Sequence, residues 1–356
     1  MPLSPARTAA FDILRKVELG GYAGDLLLAS TAALDSRDAG LAAQIVFGSL
    51  RHQAQLDYLI ALYAGRERKL DREVRIALRM GLFQIRYLER IPPHAAVAES
   101  VALVKRARKT SAAGFVNAIL RQANRDPVEW PRREVELSCP AWLLDRWEGA
   151  YGTAAAEGIA RAALAEPEKH FRGDRMQDIG SQTIVPLLGL APGQTFLDLC
   201  AAPGNKTAQA LESGVRAIAC DVHFHRLAQL RPLGCDLVVL DGTRPLPFAR
   251  GFDRILVDAP CSGTGTLARN PEIKWRLTPA DLDDLADRQR RLVANARAAL
   301  APGGLLVYST CSLEPEENQA VVATAPPDLV VETMERLPGR DPGDGFFAAV
   351  IRAPVP

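Results

Sequence analysis

The sequence predicts a multidomain protein: an all-α bundle at the N-terminus, followed by a doubly wound α/β domain. Three observations predict it. Apolar residues recur at helical spacing from residue 5 to 125. From about residue 178, short apolar runs alternate with helical segments, the pattern of a parallel sheet covered on both faces. The charge also changes sign between the two parts, with 19 Lys+Arg against 12 Asp+Glu in residues 1–127 and 24 against 30 in residues 128–356. The expected boundaries are a helical domain 1–127, a helical linker 128–176 and an α/β domain 177–356.

Bulk properties narrow the class. The 356 residues are 48% hydrophobic and 24% charged, an ordinary core-forming balance that excludes a disordered or fibrous chain. No run of about 18 apolar residues occurs, so no membrane partner is expected. The first 18 residues already contain Arg7, Asp12, Arg15, Lys16 and Glu18, unlike a secretory leader, and a cytoplasmic location is expected. Six cysteines (139, 200, 220, 235, 261 and 311) are too few for a disulfide scaffold of this length. They form no Cys-x-x-Cys pair, so no metal site is expected.

The helical part shows its stripes in order. Ala10, Ile13, Leu14 and Val17 share one face, as do Val74, Leu78, Gly81, Leu82 and Ile85. Val97, Val101 and Val104 follow, then Val116, Ile119, Leu120 and Ala123. Pro92-Pro93 separates two helices and Asp126-Pro127 ends the last. Basic residues bunch at Arg66-Glu67-Arg68-Lys69 and at Lys105-Arg106-Ala107-Arg108-Lys109. One such cluster is usually a solvated helix end. A basic module joined to an acidic one favours an anionic macromolecular partner such as RNA. In the linker, Trp130, Trp142 and Trp147 read as packing anchors.

The α/β part has apolar runs at Thr195–Leu199, Ala217–Cys220, Leu237–Leu240, Ile255–Val257 and Leu305–Tyr308. Ligands of such sheets bind beyond the carboxyl ends of the strands, so the chemistry is sought just after each run. The first is followed by Asp198-Leu-Cys200-Ala201-Ala202-Pro203-Gly204-Asn205-Lys206-Thr207, where Gly204 and Asn205 permit a sharp turn into a helix. A Walker loop is excluded because its first glycine is missing. Asp221 ends the second run and suits ribose hydroxyls, while Asp241 ends the third and suits an adenine amino group. Each alone is more often a cap. Three aspartates at successive strand ends favour a nucleoside-type cofactor. Gly263-Thr-Gly265-Thr-Leu-Ala268 imitates a dinucleotide fingerprint, but it follows the fourth run and leads to Arg269-Asn-Pro271, so it is rejected.

The fourth and fifth runs end in Asp258-Ala-Pro-Cys261 and Ser309-Thr-Cys311-Ser. On neighbouring strands, spaced about 4.8 Å apart, the two thiols would converge on one cleft. Free cysteines are usually buried hydrophobes, yet these lie in polar loops past strand ends, where function concentrates. Two thiols suit methylation at carbon 5 of cytosine. A thiolate adds to carbon 6 and makes carbon 5 nucleophilic, and a second acid/base group assists release. The attacking thiol needs a nearby positive group, for which Lys206 and a cofactor sulfonium are candidates. Asp258 is placed to hold the base edge, and the base must be unpaired or flipped.

At these residues the chain resembles the bacterial Sun/RsmB-type family of RNA cytosine-5 methyltransferases. The resemblance rests on Gln177–Gln182, Asp198–Thr207, Asp258–Gly265, Arg269–Trp275, Ser309–Ser312 with Pro315–Asn318, and Gly343–Phe347. The helical part resembles the NusB-type RNA-binding fold that this family carries. The resemblance implies a Rossmann-like class I methyltransferase domain and S-adenosyl-L-methionine as cofactor. It places the cofactor against Cys200, Ala201, Ala202, Pro203, Gly204, Asn205, Lys206, Asp221, Asp241 and Asp258. It makes Cys311 the nucleophile and Cys261 the helper in release, a ranking that the residues themselves leave open, with Asp258 and Lys206 beside them. Ribosomal RNA of the small subunit is the implied substrate, and a monomer is the working expectation. Two features depart from the family: Asn205 stands where it has a second glycine, and only Glu166–Met176 is available for its RNA-recognition-like subdomain. The alternatives are a non-catalytic RNA-binding adaptor and methylation of transfer RNA.

Overall fold

A computed structural model describes residues 3–65, 69–249 and 251–355. Its contacts divide the chain into two compact units. The first comprises Met1–Arg146, Ala163–Ala165 and Leu267–Trp275; the second comprises Trp147–Ala162, Glu166–Thr266 and Arg276–Pro356.

The first unit is helical, as its periodicity predicts: α1 (Pro5–Val17), α2 (Ala23–Thr31), α3 (Ser36–Arg51), α4 (Gln53–Ala64), α5 (Arg72–Tyr87), α6 (Pro93–Arg106) and α7 (Ala113–Gln122). Side-chain chemistry sets the boundaries. Asp35 caps α3 by accepting from the Asp38 amide at 2.8 Å, and Pro93 opens α6 where no amide donor is needed. The predicted stripe of α5 is buried, but so are Ile76, Ala77, Met80 and Phe83, so the helix is wrapped on all sides. Its polar residues inside the bundle are paired. Arg79 makes a bidentate contact with Asp57 at 2.7 and 2.6 Å, and the Gln84 side chain accepts from Arg7 at 2.7 Å. Of the predicted basic clusters, Arg66, Glu67 and Arg68 lie outside the described residues. In the other, Arg106 pairs with Asp12 and Lys109 with Asp71, leaving Lys105 and Arg108 exposed.

Leu267–Trp275 anchors within this unit through polar contacts to its helices. Arg51 donates to the Ala268 carbonyl at 2.9 Å, Lys274 to the Arg51 carbonyl at 3.0 Å, and the Trp275 indole to the Leu50 carbonyl at 2.7 Å. Glu272 caps α2 by accepting from the Ala23 amide at 2.9 Å. Burial pushes the Lys274 ammonium down to about 8.

Next come α8 (Arg133–Glu136), α9 (Ala141–Tyr151), α10 (Thr153–Leu164) and a hairpin of β1 (Phe171–Arg172) and β2 (Arg175–Met176). Of the three tryptophans, Trp147 is fully buried and donates to Glu314 at 3.0 Å, while Trp130 packs half-buried against the bundle core.

The second unit carries a seven-stranded sheet in the order β5-β4-β3-β6-β7-β9-β8. The predicted runs form β3 (Thr195–Asp198), β4 (Arg216–Asp221), β5 (Asp236–Val239), β6 (Phe252–Asp258) and β7 (Leu300–Thr310), paired in parallel. Two further strands, β8 (Val330–Arg336) and β9 (Phe346–Arg352), are absent from the sequence reading, and β9 pairs antiparallel with both neighbours. The sheet is therefore mostly, not wholly, parallel. Phe-Phe-Ala-Ala-Val-Ile is a continuous apolar run that periodicity does not separate from buried helix, and β8 is a polar edge strand.

The helices of this unit are α11 (Ile179–Gln182), α12 (Asn205–Leu211), α13 (Phe224–Leu227), α15 (Pro279–Ala298) and α16 (Gln319–Val322), whereas α14 (Ile273–Arg276) falls largely in the Leu267–Trp275 segment of the first unit. Alternate strand residues divide between the faces. Ile255, Val257, Leu306 and Tyr308 pack with Leu292 and Val293 of α15, whereas Leu256 and Val307 pack with Val185, Leu188 and Ala210. The parallel pairing of β3 to β7 places their carboxyl ends at one end of the sheet.

The close approach of α3 and α5 gives a test. A Cβ on Gly48 would lie 1.9 Å from the Phe83 ring. Gly48→Ala should cost about 1–3 kcal/mol through overpacking, seen as faster hydrogen exchange in α3 and α5. Unchanged protection there would refute this packing.

Candidate active site

The site forms where the parallel strands end, at the switch between β3 and β6, from which the chain runs outward in both directions. A cavity of about 670 Å³ opens there, lined by Cys200, Ala202, Asp221, Asp241, Asp258, Cys261 and Cys311 among others. These predicted residues come from five successive strand ends.

The loop after β3 leads into α12 through Gly204 at φ 103°, where a side chain would also strike Leu230 at 2.6 Å. Asn205 is the first residue of α12 and needs no left-handed backbone, so the positive φ of the turn falls on Gly204 and not on Asn205. Its side chain donates to the Met176 carbonyl at 3.1 Å, tying the loop to the hairpin. Asp198 lies buried beneath the loop and accepts from the Thr207 hydroxyl at 2.6 Å. Asp221 accepts from the Ala202 amide at 3.3 Å and the His223 amide at 2.8 Å, leaving lone pairs on both oxygens for a ligand. Asp241 accepts twice from Thr243, at 3.0 and 2.6 Å, and these bonds hold its carboxyl below the usual range.

Lys206 meets Asp258 at 2.5 Å, and the other Asp258 oxygen accepts from the Ser309 hydroxyl at 2.8 Å. The ammonium is thus committed to a carboxylate at the end of β6. Ala201, Pro203 and Lys206 build the loop without being among the cavity-lining residues.

Strands β6 and β7 are neighbours, and the Cys261 and Cys311 sulfurs stand 3.4 Å apart. Hydrogen bonding to the Cys311 sulfur, together with burial, holds the Cys261 thiol well above its ordinary value. Burial also raises Cys200, Cys220 (to about 12) and Cys235, so these remain thiols at neutral pH.

Several residues that the sequence reading left without roles hold this arrangement. Glu317, fully buried, accepts from the Ser262 amide at 2.8 Å, the Ser312 hydroxyl at 2.5 Å, Gln289 at 2.9 Å and the Ser262 hydroxyl. Gly265, part of the rejected fingerprint, is a backbone crossing: its amide donates to the Cys311 carbonyl at 2.9 Å, and a Cβ would come within 2.4 Å of the Gly345 carbonyl. Asp178 accepts from Gly180 at 2.8 Å and Asp344 at 3.0 Å, joining the first and last matching blocks. A buried carboxylate beside two serines flanking the cysteines was visible in the sequence only as residue types, because no period links them.

Known proteins resemble this chain over most of its length. Residues 185–352 match the family "16S rRNA methyltransferase RsmB/F", and residues 4–125 match the NusB family. "Ribosomal RNA small subunit methyltransferase B" of Sodalis glossinidius is 33% identical, covering 96% of each protein. That alignment runs over 415 positions against 356 residues here, so the relative contains segments that this chain lacks. The crystal structure of PH0851 shares the fold with a TM-score of 0.78 over 98% of each chain, at 20% identity. A methyltransferase homolog protein from Pyrococcus horikoshii is 25% identical with a TM-score of 0.52, covering 62% of this chain and 97% of its own.

Asp198 gives a pH test. Burial lifts its carboxyl from 3.8 to about 7, against the pull of the Thr207 bond. Between those values the folded chain keeps a proton that the unfolded chain has lost, so this group makes stability fall as pH rises from 3.8 to about 7 and adds no slope above. Asp198→Asn should remove that component, read as a smaller change in denaturation midpoint between mildly acidic and neutral pH. A slope equal to that of the wild type would show that Asp198 is ionised throughout.

Proposed function

The chain belongs to the RsmB/F family of 16S rRNA methyltransferases, and on that premise we propose that it methylates carbon 5 of a cytosine in small-subunit ribosomal RNA, using Cys311 as nucleophile and Cys261 as its partner in release. The observation that carries this reading is the pair of sulfurs 3.4 Å apart at the rim of the strand-end cavity. One thiol suffices for attack; a second at contact distance answers the need for a proton carrier.

The residues present fit S-adenosylmethionine. Asp221 keeps acceptor capacity for two ribose hydroxyls, Asp241 stands one strand further for the adenine amino group, and the turn at Gly204 leaves no room for a side chain. Cys200 and Ala202, which line the cavity, would hold the amino-acid end, with Ala201, Pro203 and Asn205 shaping the loop behind them and Lys206 neutralising Asp258. When bound, S-adenosylmethionine supplies an electrophilic methyl group.

The chain's own groups do the rest. The contact between the two sulfurs, in which either thiol can donate, keeps Cys261 within reach of the attacking group. The Cys311 sulfur bonds to carbon 6 of the extruded cytosine and pushes its electron pair toward carbon 5, which takes the methyl group. A base then removes the carbon-5 proton, the carbon 5–carbon 6 double bond reforms, and the Cys311–carbon 6 bond breaks as the thiolate leaves. Cys261, in contact with that sulfur, serves this proton traffic. Asp258, braced by Lys206 and Ser309, offers a carboxylate to the base edge.

Incubation with ribosomal RNA and the methyl donor separates the roles. Cys311→Ala should form no covalent RNA complex, and Cys261→Ala should accumulate one, both visible on a denaturing gel. The reverse pattern would exchange the assignments. Asp221→Ala should weaken S-adenosylmethionine binding by about tenfold or more, as loss of charge-assisted hydrogen bonds worth about 1.5–3 kcal/mol requires, measured by calorimetry. Bisulfite mapping of RNA from cells with and without the gene tests the substrate; a lost signal in transfer RNA alone would move the activity there.

A further inference from the structure

We propose that Glu317 is a positioning residue for the two thiols: its single buried carboxylate ties the Cys261 loop to the Cys311 loop and sets their contact. This rests on the reading of Cys311 as nucleophile and Cys261 as its release partner.

The geometry carries it. Cys261 and Cys311 leave different strands, separated by 50 residues in sequence, and the Sγ–Sγ contact is 3.4 Å. The residues that follow them, Ser262 and Ser312, both donate their hydroxyls to one oxygen of Glu317, and those two hydroxyls lie 3.0 Å from each other. The other carboxylate oxygen accepts from the Ser262 amide and from Gln289 of α15, whose side chain also donates to the Pro260 carbonyl at 2.9 Å. The Glu317 carbonyl accepts from Tyr308 of β7 at 2.5 Å. Neighbouring Asn318 accepts from Thr310 at 2.6 Å and donates to the Ser312 carbonyl at 2.9 Å. Each anchor lies within two residues of a cysteine or beneath both loops. Because a buried carboxylate is costly to desolvate unless fully bonded, the four donors are drawn to it, and the loops with them.

Glu317 is not among the residues lining the cavity, so cofactor contact does not explain its burial. Its charge also opposes ionisation of Cys261. The titratable groups around this cluster are Cys261 and Cys311 from the two loops, Tyr308 from β7 and Asp258 from the end of β6, while α15 presents neutral Gln289. Burial pushes the Glu317 carboxyl up, and the donors from both thiol loops and α15 pull it back toward the charged form. It therefore does two things at once: it fixes a distance and it keeps the proton on the release partner.

The test compares the full-length chain with Glu317→Gln, which keeps the shape and loses the charge, and Glu317→Asp, which keeps the charge and shortens the tether. Without RNA, timed iodoacetamide labelling followed by mass spectrometry reads each thiol. In the wild type Cys311 should label ahead of Cys261. In Glu317→Gln, Cys261 should label about tenfold faster at the same mildly alkaline pH, since only the thiolate reacts. Glu317→Asp should keep the order of labelling. Both variants should bind S-adenosylmethionine as the wild type does, while single-turnover methylation falls about 100-fold, the scale of a 1 Å misplacement. Wild-type labelling and rates in Glu317→Gln would overturn the proposal. So would a parallel loss of melting temperature and cofactor binding, which would mark a merely structural role. The expected labelling shift in Glu317→Gln, together with a wild type that methylates no RNA, would keep the tether and overturn the functional reading instead.

Discussion

A carboxylate with no exposure to water holds the chemistry of this protein together. Glu317 sits where the loops after β6 and β7 meet, and its four hydrogen bonds come from both loops and from α15. Unpaired, such a group would be intolerable in the interior. Paired, it converts the neighbouring ends of two strands into one rigid shelf, on which two sulfurs stand in contact. The parallel pairing of β6 with β7 brings the loops near each other. The buried anion brings them into register.

The cofactor side of the cleft is organised differently, by backbone rather than by charge. Asp241 spends its first hydrogen bonds on the turn that follows its own strand, and Asp221 divides its two between the turn after β4 and the loop after β3. The turns are thereby stiffened and the remaining lone pairs aimed outward, the economy expected of a preorganised site. Asn205 fits the same logic. A residue that looked like a compromise for a missing glycine begins α12 in ordinary helical geometry, and its amide reaches the hairpin at Met176. The hairpin of β1 and β2 is thus tied directly to the loop after β3.

Gly265 shows how a motif changes meaning in three dimensions. Its spacing with Gly263 imitates a phosphate-binding turn. In the fold, Gly265 passes so close to the Gly345 and Cys311 carbonyls that a methyl group would not fit. Its job is to let two backbones cross behind the Cys311 loop. The blocks around Asp178 and Asp344 likewise serve each other, since one carboxylate oxygen caps α11 and receives the Asp344 amide. Residues that look functional because they are polar and clustered divide, once folded, into those facing the cavity and those bracing the ones that do.

Local pattern alone was enough for the helices, the five parallel strands and the two cysteines, because hydrophobic period, turn residues and strand-end position are properties of short stretches of chain. It was also enough to place Asp221, Asp241 and Asp258 at the edge where ligands bind. It did not reveal β9, whose apolar run has no period of its own, or the all-round burial of α5, which depends on what the other helices wrap. Nor could it show that Lys206 is spent on Asp258, or that Glu317 spans the loops of Cys261 and Cys311. Those are distances between residues tens of positions apart, and they come into being only when the chain closes on itself and a desolvated charge has to find its partners.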